Sequence, residues 1–171
     1  MTKQNSNKMN KKIIASITIV LGIIGLIFWG RNSVPVEIPK NLGSATALSA
    51  SEILYDFGTI SMQNGLTDHV FKVTNPSEKD IFIKNVSTSC MCTKVYIEGV
   101  NGNKGPFGME GHGYVPPANE IIKAGESRNI KVVYDPNAHG PAGIGFIDRF
   151  IYLADQSGDT FQLEIKAVVT P

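Results

Sequence analysis

The sequence predicts an all-β protein: an antiparallel sandwich of seven or eight strands, preceded by one N-terminal transmembrane helix. Three observations predict it. Beyond residue 50 the chain is a series of short apolar runs with period-two alternation, cut by turn residues. Glycine (17) and proline (9) are plentiful, and no helical period separates the runs. Before them, Ile13 to Gly30, "IIASITIVLGIIGLIFWG", runs 18 residues without a charge, about the length that crosses a hydrocarbon core as a helix.

The N-terminal elements follow from charge. Residues 1–12 form a basic tail with Lys3, Lys8, Lys11 and Lys12, whereas Arg31 alone follows the apolar run closely. The positive-inside tendency keeps the tail in the cytoplasm and exports everything after the 13–30 anchor, with Trp29 at the interface. A cleaved signal peptide is the rival, but the flank "FWGRNSVPVE" offers no small-residue cleavage site. Residues 31–50, rich in Pro, Ser and Asn, read as a linker that lifts the following domain off the membrane.

Residues 51–171 hold the strands. "EILYDFGTI" comes first, then "TDHVFKVTN", ended by Asn75-Pro76. "DIFIKNVSTS" sets Ile81 and Ile83 against Phe82 and Lys84; "TKVYIEG" sets Val95 and Ile97 against Tyr96 and Glu98. A glycine-rich insert at 99–117 interrupts the series. "NEIIKAGE" and "SRNIKVVYDP" resume it, with Ile130, Val132 and Tyr134 on one face. "GFIDRFIYLADQ" and "DTFQLEIKAVVTP" end the chain, and Phe161, Leu163, Ile165 and Ala167 alternate cleanly. Two sheets packed face to face, an immunoglobulin-like sandwich, bury such a set of faces most economically. The single Trp lies in the anchor, so the Cys–Trp–Cys core of antibody domains is missing.

"YDFGTI", "HVFKVTNPSEKDIFIKNVSTSCMCT", "IKAGESRNIKVVYDP" and "GFIDRFIYL", within Leu54 to Val169, together resemble the bacterial family called domain of unknown function 1573. That family is similar to the ASH and major-sperm-protein-like branch of immunoglobulin-type sandwiches. The resemblance implies an exported β-sandwich and says little about chemistry. Two departures stand out: Cys90-Met91-Cys92 replaces the family's usual Cys-Gly-Cys, and the 99–117 insert is longer than the plain domain needs.

The chain's two cysteines lie in "TSCMCT", residues 88–93, and "FGMEGHG", residues 107–113 with Met109 and His112, follows within the glycine-rich insert. Cysteines two apart project from one face of an extended chain, and converge further in a turn. Thiolate, thioether and imidazole together suit copper, most naturally Cu(I), while zinc rarely takes a thioether. The candidate metal ligands are Cys90, Cys92, Met109 and His112. His139, in "DPNAHGPAG", joins them if its loop reaches the same end of the sandwich. Three readings of the cysteines stay open: a soft-metal site, a disulfide favoured by the oxidising exterior, or two half-buried thiols that only pack. Met91 points away from the cysteines in an extended chain and reads as packing; His69 reads as a strand-edge residue.

Other chemistries fail on inventory. No Ser, His and Asp set stands in a nucleophile-elbow context and no glycine-rich loop precedes a helix to hold phosphate; a Cys-His hydrolase built from Cys90 or Cys92 with His112 is rare on sandwich scaffolds, so an enzyme is not expected. Net charge is +1 with no basic stripe, which excludes nucleic acid as a partner. Two functional expectations remain. One is a membrane-anchored extracytoplasmic domain that binds a soft metal. The other is an envelope interaction module that engages a protein partner and whose cysteines are incidental.

Overall fold

Period-two alternation in this chain becomes burial on one face of each strand. The final strand shows it best: Phe161, Leu163, Ile165, Ala167 and Val169 are all buried, and the residues between them are not. The structure, a computed structural model, describes residues 46–99 and 102–171. The 1–12 tail, the 13–30 anchor and the first 15 residues of the 31–50 linker lie outside them. Among the described residues no helix is long and apolar enough to cross a membrane.

In chain order the strands are β1 (Ser49–Ala50), β2 (Leu54–Ser61), β3 (Thr67–Thr74), β4 (Ile81–Thr88), β5 (Thr93–Gly99), β6 (Gly102–Phe107), β7 (Glu120–Ile122), β8 (Ser127–Tyr134), β9 (Gly145–Asp155) and β10 (Thr160–Thr170). They form two five-stranded sheets, ordered β1-β3-β8-β5-β6 and β2-β10-β9-β4-β7. One inner face supplies Phe71, Val73, Val95, Ile97, Ile130, Val132 and Tyr134; the other supplies Ile83, Val86, Ile147, Ile151, Leu153 and the β10 residues. Burying each large side chain contributes about 1.5–3 kcal/mol, and this layer is what holds the sheets together.

The all-β expectation holds, and all eight sequence-read runs form strands. The strand count is corrected from seven or eight to ten among the described residues. β1 is two residues long, too short to alternate. β6, "GNKGPF", carries one apolar side chain that is buried, Phe107, so its pairing with β5 has no hydrophobic signature. The first part of the expected glycine-rich loop is thus a strand. The purely antiparallel expectation is also corrected, because β2 runs parallel to β10. β2 leads through the 3-10 turn Met62–Asn64 into β3 of the opposite sheet. It is therefore no hairpin partner, and its direction is not set by a tight turn.

Candidate metal and redox centre

The cysteines depend on an irregularity in β4. Strict alternation from Ile81 and Ile83 would send residues 85, 87 and 89 inward. Instead β4 carries one extra residue against β9 between Ile83 and Asn85. That bulge shifts the phase, so Val86 (0% exposed) and Thr88 (4%) face the core. Thr88 is the last residue of β4 and organises the turn that follows. Its hydroxyl donates to the carbonyls of Cys90 (2.9 Å) and Thr93 (3.3 Å). Thr93 N donates to Cys90 O (3.2 Å) and Asp135 N to Cys92 O (2.9 Å). Ser89 exchanges bonds with Phe150 of β9: Ser89 N donates to Phe150 O, and Ser89 Oγ accepts from Phe150 N, both at 2.9 Å. Both sheets therefore grip one five-residue turn.

Within that turn Cys90 and Cys92 are joined as a disulfide, with Cα atoms 5.3 Å apart. A bridge over a sequence separation of 2 removes little freedom from an unfolded chain, about 1–2 kcal/mol on the chain-entropy relation. It is a weak staple in a segment that the sheets already hold.

His139 completes the group. Its loop is braced: Asp135 Oδ1 accepts from Asn137 N (2.8 Å), Gly140 N donates to Asn137 O (2.9 Å), and Asn137 Nδ2 reaches Met62 O (2.7 Å). Gly143 passes so close that a Cβ there would lie 3.4 Å from His139 Cβ. The ring is exposed, yet its Nε2 lies 3.1 Å from Cys90 Sγ. Cys90 Sγ, Cys92 Sγ and one His139 nitrogen all fall within 4.8 Å of one another.

His112 is exposed and outside that group; its N–H donates to Met109 O (3.3 Å), closing a turn in which Gly111 and Gly113 take positive φ. Met109 is half-buried and follows Gly108, whose carbonyl accepts from Thr88 N (3.2 Å). The insert is thus rooted next to the cysteine turn. Met91 is 42% exposed at the apex between the two cysteines.

Sequence reasoning passed over Thr88, and Asp148-Arg149, which the sequence reads as a surface pair at a strand start, is corrected by the structure. Thr88 is flagged only by the two threonines that flank the cysteines in "TSCMCT". Arg149 opposes Ile165 in the β9–β10 register and so belongs to the inward-facing series of β9. Its Nε has no hydrogen-bond partner. Burial pushes the Tyr134 phenol above its ordinary value, while the nearby Arg149 charge pulls it back.

Residues 48–105 match the family described as protein of unknown function (DUF1573). The DUF1573 match starts just ahead of β1, ends within β6 and includes both cysteines, which bears out the resemblance read in the sequence. Among curated proteins none matches the sequence. The fold is similar to a crystal structure of a protein of unknown function from Porphyromonas gingivalis W83 (14% identity, TM-score 0.53, covering 77% of this chain and 51% of that one). It is also similar to a family 123 glycoside hydrolase from Clostridium perfringens (6% identity, TM-score 0.51, 72% of this chain and 27% of that one). This chain spans about half of the first structure and about a quarter of the second. At such identities the likeness shows the fold and nothing of its chemistry.

Proposed function

We propose that this protein is a membrane-anchored extracytoplasmic sandwich domain that takes up a soft metal ion, Cu(I), once its cysteine pair is reduced. The observation that carries the reading is the convergence of two sulfurs and an imidazole nitrogen within 4.8 Å. Two thiolates and one imidazole are a soft donor set that suits Cu(I) in a low-coordinate site. Met109 and His112 take a secondary role, capping the ion if the insert folds over it. Anchoring is supported by the 18-residue uncharged run and the basic tail before it.

A second reading is favoured by the bond between the sulfurs: an envelope interaction module whose disulfide is permanent. One titration separates the two. Full-length protein in detergent micelles, reduced and desalted, competes with a Cu(I) chelator alongside a Cys90→Ser/Cys92→Ser variant. The metal reading expects retention about 100-fold stronger in the wild type. Equal, weak retention in both leaves the interaction module. For the anchor, the full-length protein is expected to stay with membranes through an alkaline wash; a shorter soluble form overturns it.

A further inference from the structure

The two sulfurs of the bridge are not equivalent. Cys92 is 2% exposed and covered by Thr93, whose hydroxyl oxygen lies 3.7 Å from its sulfur. Cys90 is 8% exposed, and its sulfur meets an exposed histidine ring. Met91 stands out between them, 42% exposed, as an apolar contact for whatever approaches. The turn is also held without the bridge. Bonds from Thr88, Thr93 and Asp135 fix the backbone carbonyls of both cysteines, so breaking the S–S bond leaves the sulfurs as neighbours. A staple needs none of this asymmetry. A reversible couple needs one sulfur less shielded than the other, as Cys90 is than Cys92, and a frame that keeps them together.

We propose that Cys90–Cys92 is a thiol–disulfide exchange couple, in which Cys90 forms the mixed disulfide and Cys92 resolves it, and that its partner is an extracytoplasmic dithiol. In the reductive direction a thiolate of the dithiol attacks Cys90 Sγ. The Cys90–Cys92 bond breaks, and its electron pair leaves on Cys92, which takes up a proton. The second sulfur of the dithiol then attacks the partner sulfur of the mixed disulfide and releases Cys90, which is protonated in turn. Two electrons and two protons pass from the dithiol, now a disulfide, to the cysteine pair. His139 Nε2, in contact with Cys90 Sγ, lies where it can hand over one of those protons. In the other direction reduced Cys90 attacks a disulfide, and Cys92 displaces the product. The couple uses the same sulfurs as the proposed metal site but requires no metal.

The test uses full-length protein in detergent micelles with copper and zinc chelators present throughout, so its failure and that of the metal titration are separate results. Reduced wild type is treated briefly with an aryl disulfide, 5,5′-dithiobis(2-nitrobenzoate), quenched with acid, and mapped by peptide mass. The adduct is expected on Cys90. Cys92→Ser is expected to hold one stable adduct, and Cys90→Ser to react about tenfold more slowly. Wild type in a dithiothreitol redox buffer is expected to pass between bonded and reduced forms without loss of its sheet circular dichroism. Equal labelling of the two cysteines, or reduction only in denaturant, overturns the proposal. The wild-type mapping stands even if either variant fails to fold.

Discussion

The two ends of the sandwich both bury side chains that are not plain hydrocarbon, and they treat them differently. At the end where β3 turns into β4, Asn75 is 0% exposed with its side chain fully bonded. Its Nδ2 donates to Lys79 O (2.7 Å) and Ile122 O (2.8 Å), and its Oδ1 accepts from Ser77 N (3.0 Å) and Ser77 Oγ (2.7 Å). Nothing there is left to react. At the end where β4 turns into β5, the backbone is equally well bonded and one N–H, that of Cys92, reaches Cys90 Sγ (3.3 Å), yet the sulfurs keep a further neighbour. One of them meets a histidine that is open to solvent. The contrast teaches that a fully satisfied buried polar group is a plug, whereas a rigid frame around an incompletely engaged donor set is a site.

Breaking the plug should have the largest effect. Asn75→Ala removes two donors and an acceptor from a fully buried site, costing about 3 kcal/mol in urea denaturation. Metal retention per folded molecule should not change. If the cysteine frame fell with it, the two ends would not be independent.

Thr88→Val tests the other frame. It deletes the hydroxyl bonds to the Cys90 and Thr93 carbonyls at nearly constant shape and should cost about 1–2 kcal/mol. It should also slow re-formation of the disulfide after reduction, measured by thiol alkylation.

The two histidines sharpen the comparison within the reactive end. His139→Ala should weaken Cu(I) retention about tenfold, roughly 1.4 kcal/mol, while His112→Ala should change it about twofold or less. Competition titrations of both variants check this. Equal losses would mean that the insert closes over the ion, giving Met109 and His112 full ligand roles.

The smallest effect concerns acid stability and should leave the sulfur end untouched. Burial by itself raises the Glu120 carboxyl, but Lys104 and Arg128, each 2.7 Å away, outweigh it and hold it below its ordinary value of 4.5. A lowered folded value gives stability that is complete above about pH 4.5 and lost as pH falls through the folded value. Glu120→Gln should therefore flatten the acid limb of the stability curve by less than about 1 kcal/mol. Thermal melts from pH 6 down to about pH 3 read it.

Legibility in the sequence followed the range of the interaction. Ile130, Val132 and Tyr134, like the alternating residues of β10, were readable because a strand's faces repeat every two residues whatever lies opposite. The same rule misplaces the end of β4, since a bulge is a mismatch with β9 and leaves no local mark. β6 was hidden because its pairing uses backbone groups, which every residue type carries. Cys90 and Cys92 could be singled out as a pair, but their neighbour could not. His112 is the histidine next along the chain, yet His139, 49 residues from Cys90, is the one that meets the sulfur.

The sequence by itself determined the all-β class, the eight patterned strands, the family resemblance and a sulfur pair in one turn, because alternation, turn chemistry and residue spacing act over a few residues. Only the tertiary structure decided the parallel β2–β10 edge, the inward turn of Thr88 and the meeting of His139 with Cys90. Each of these depends on how separate strands align across two sheets, a register set by packing the whole core at once.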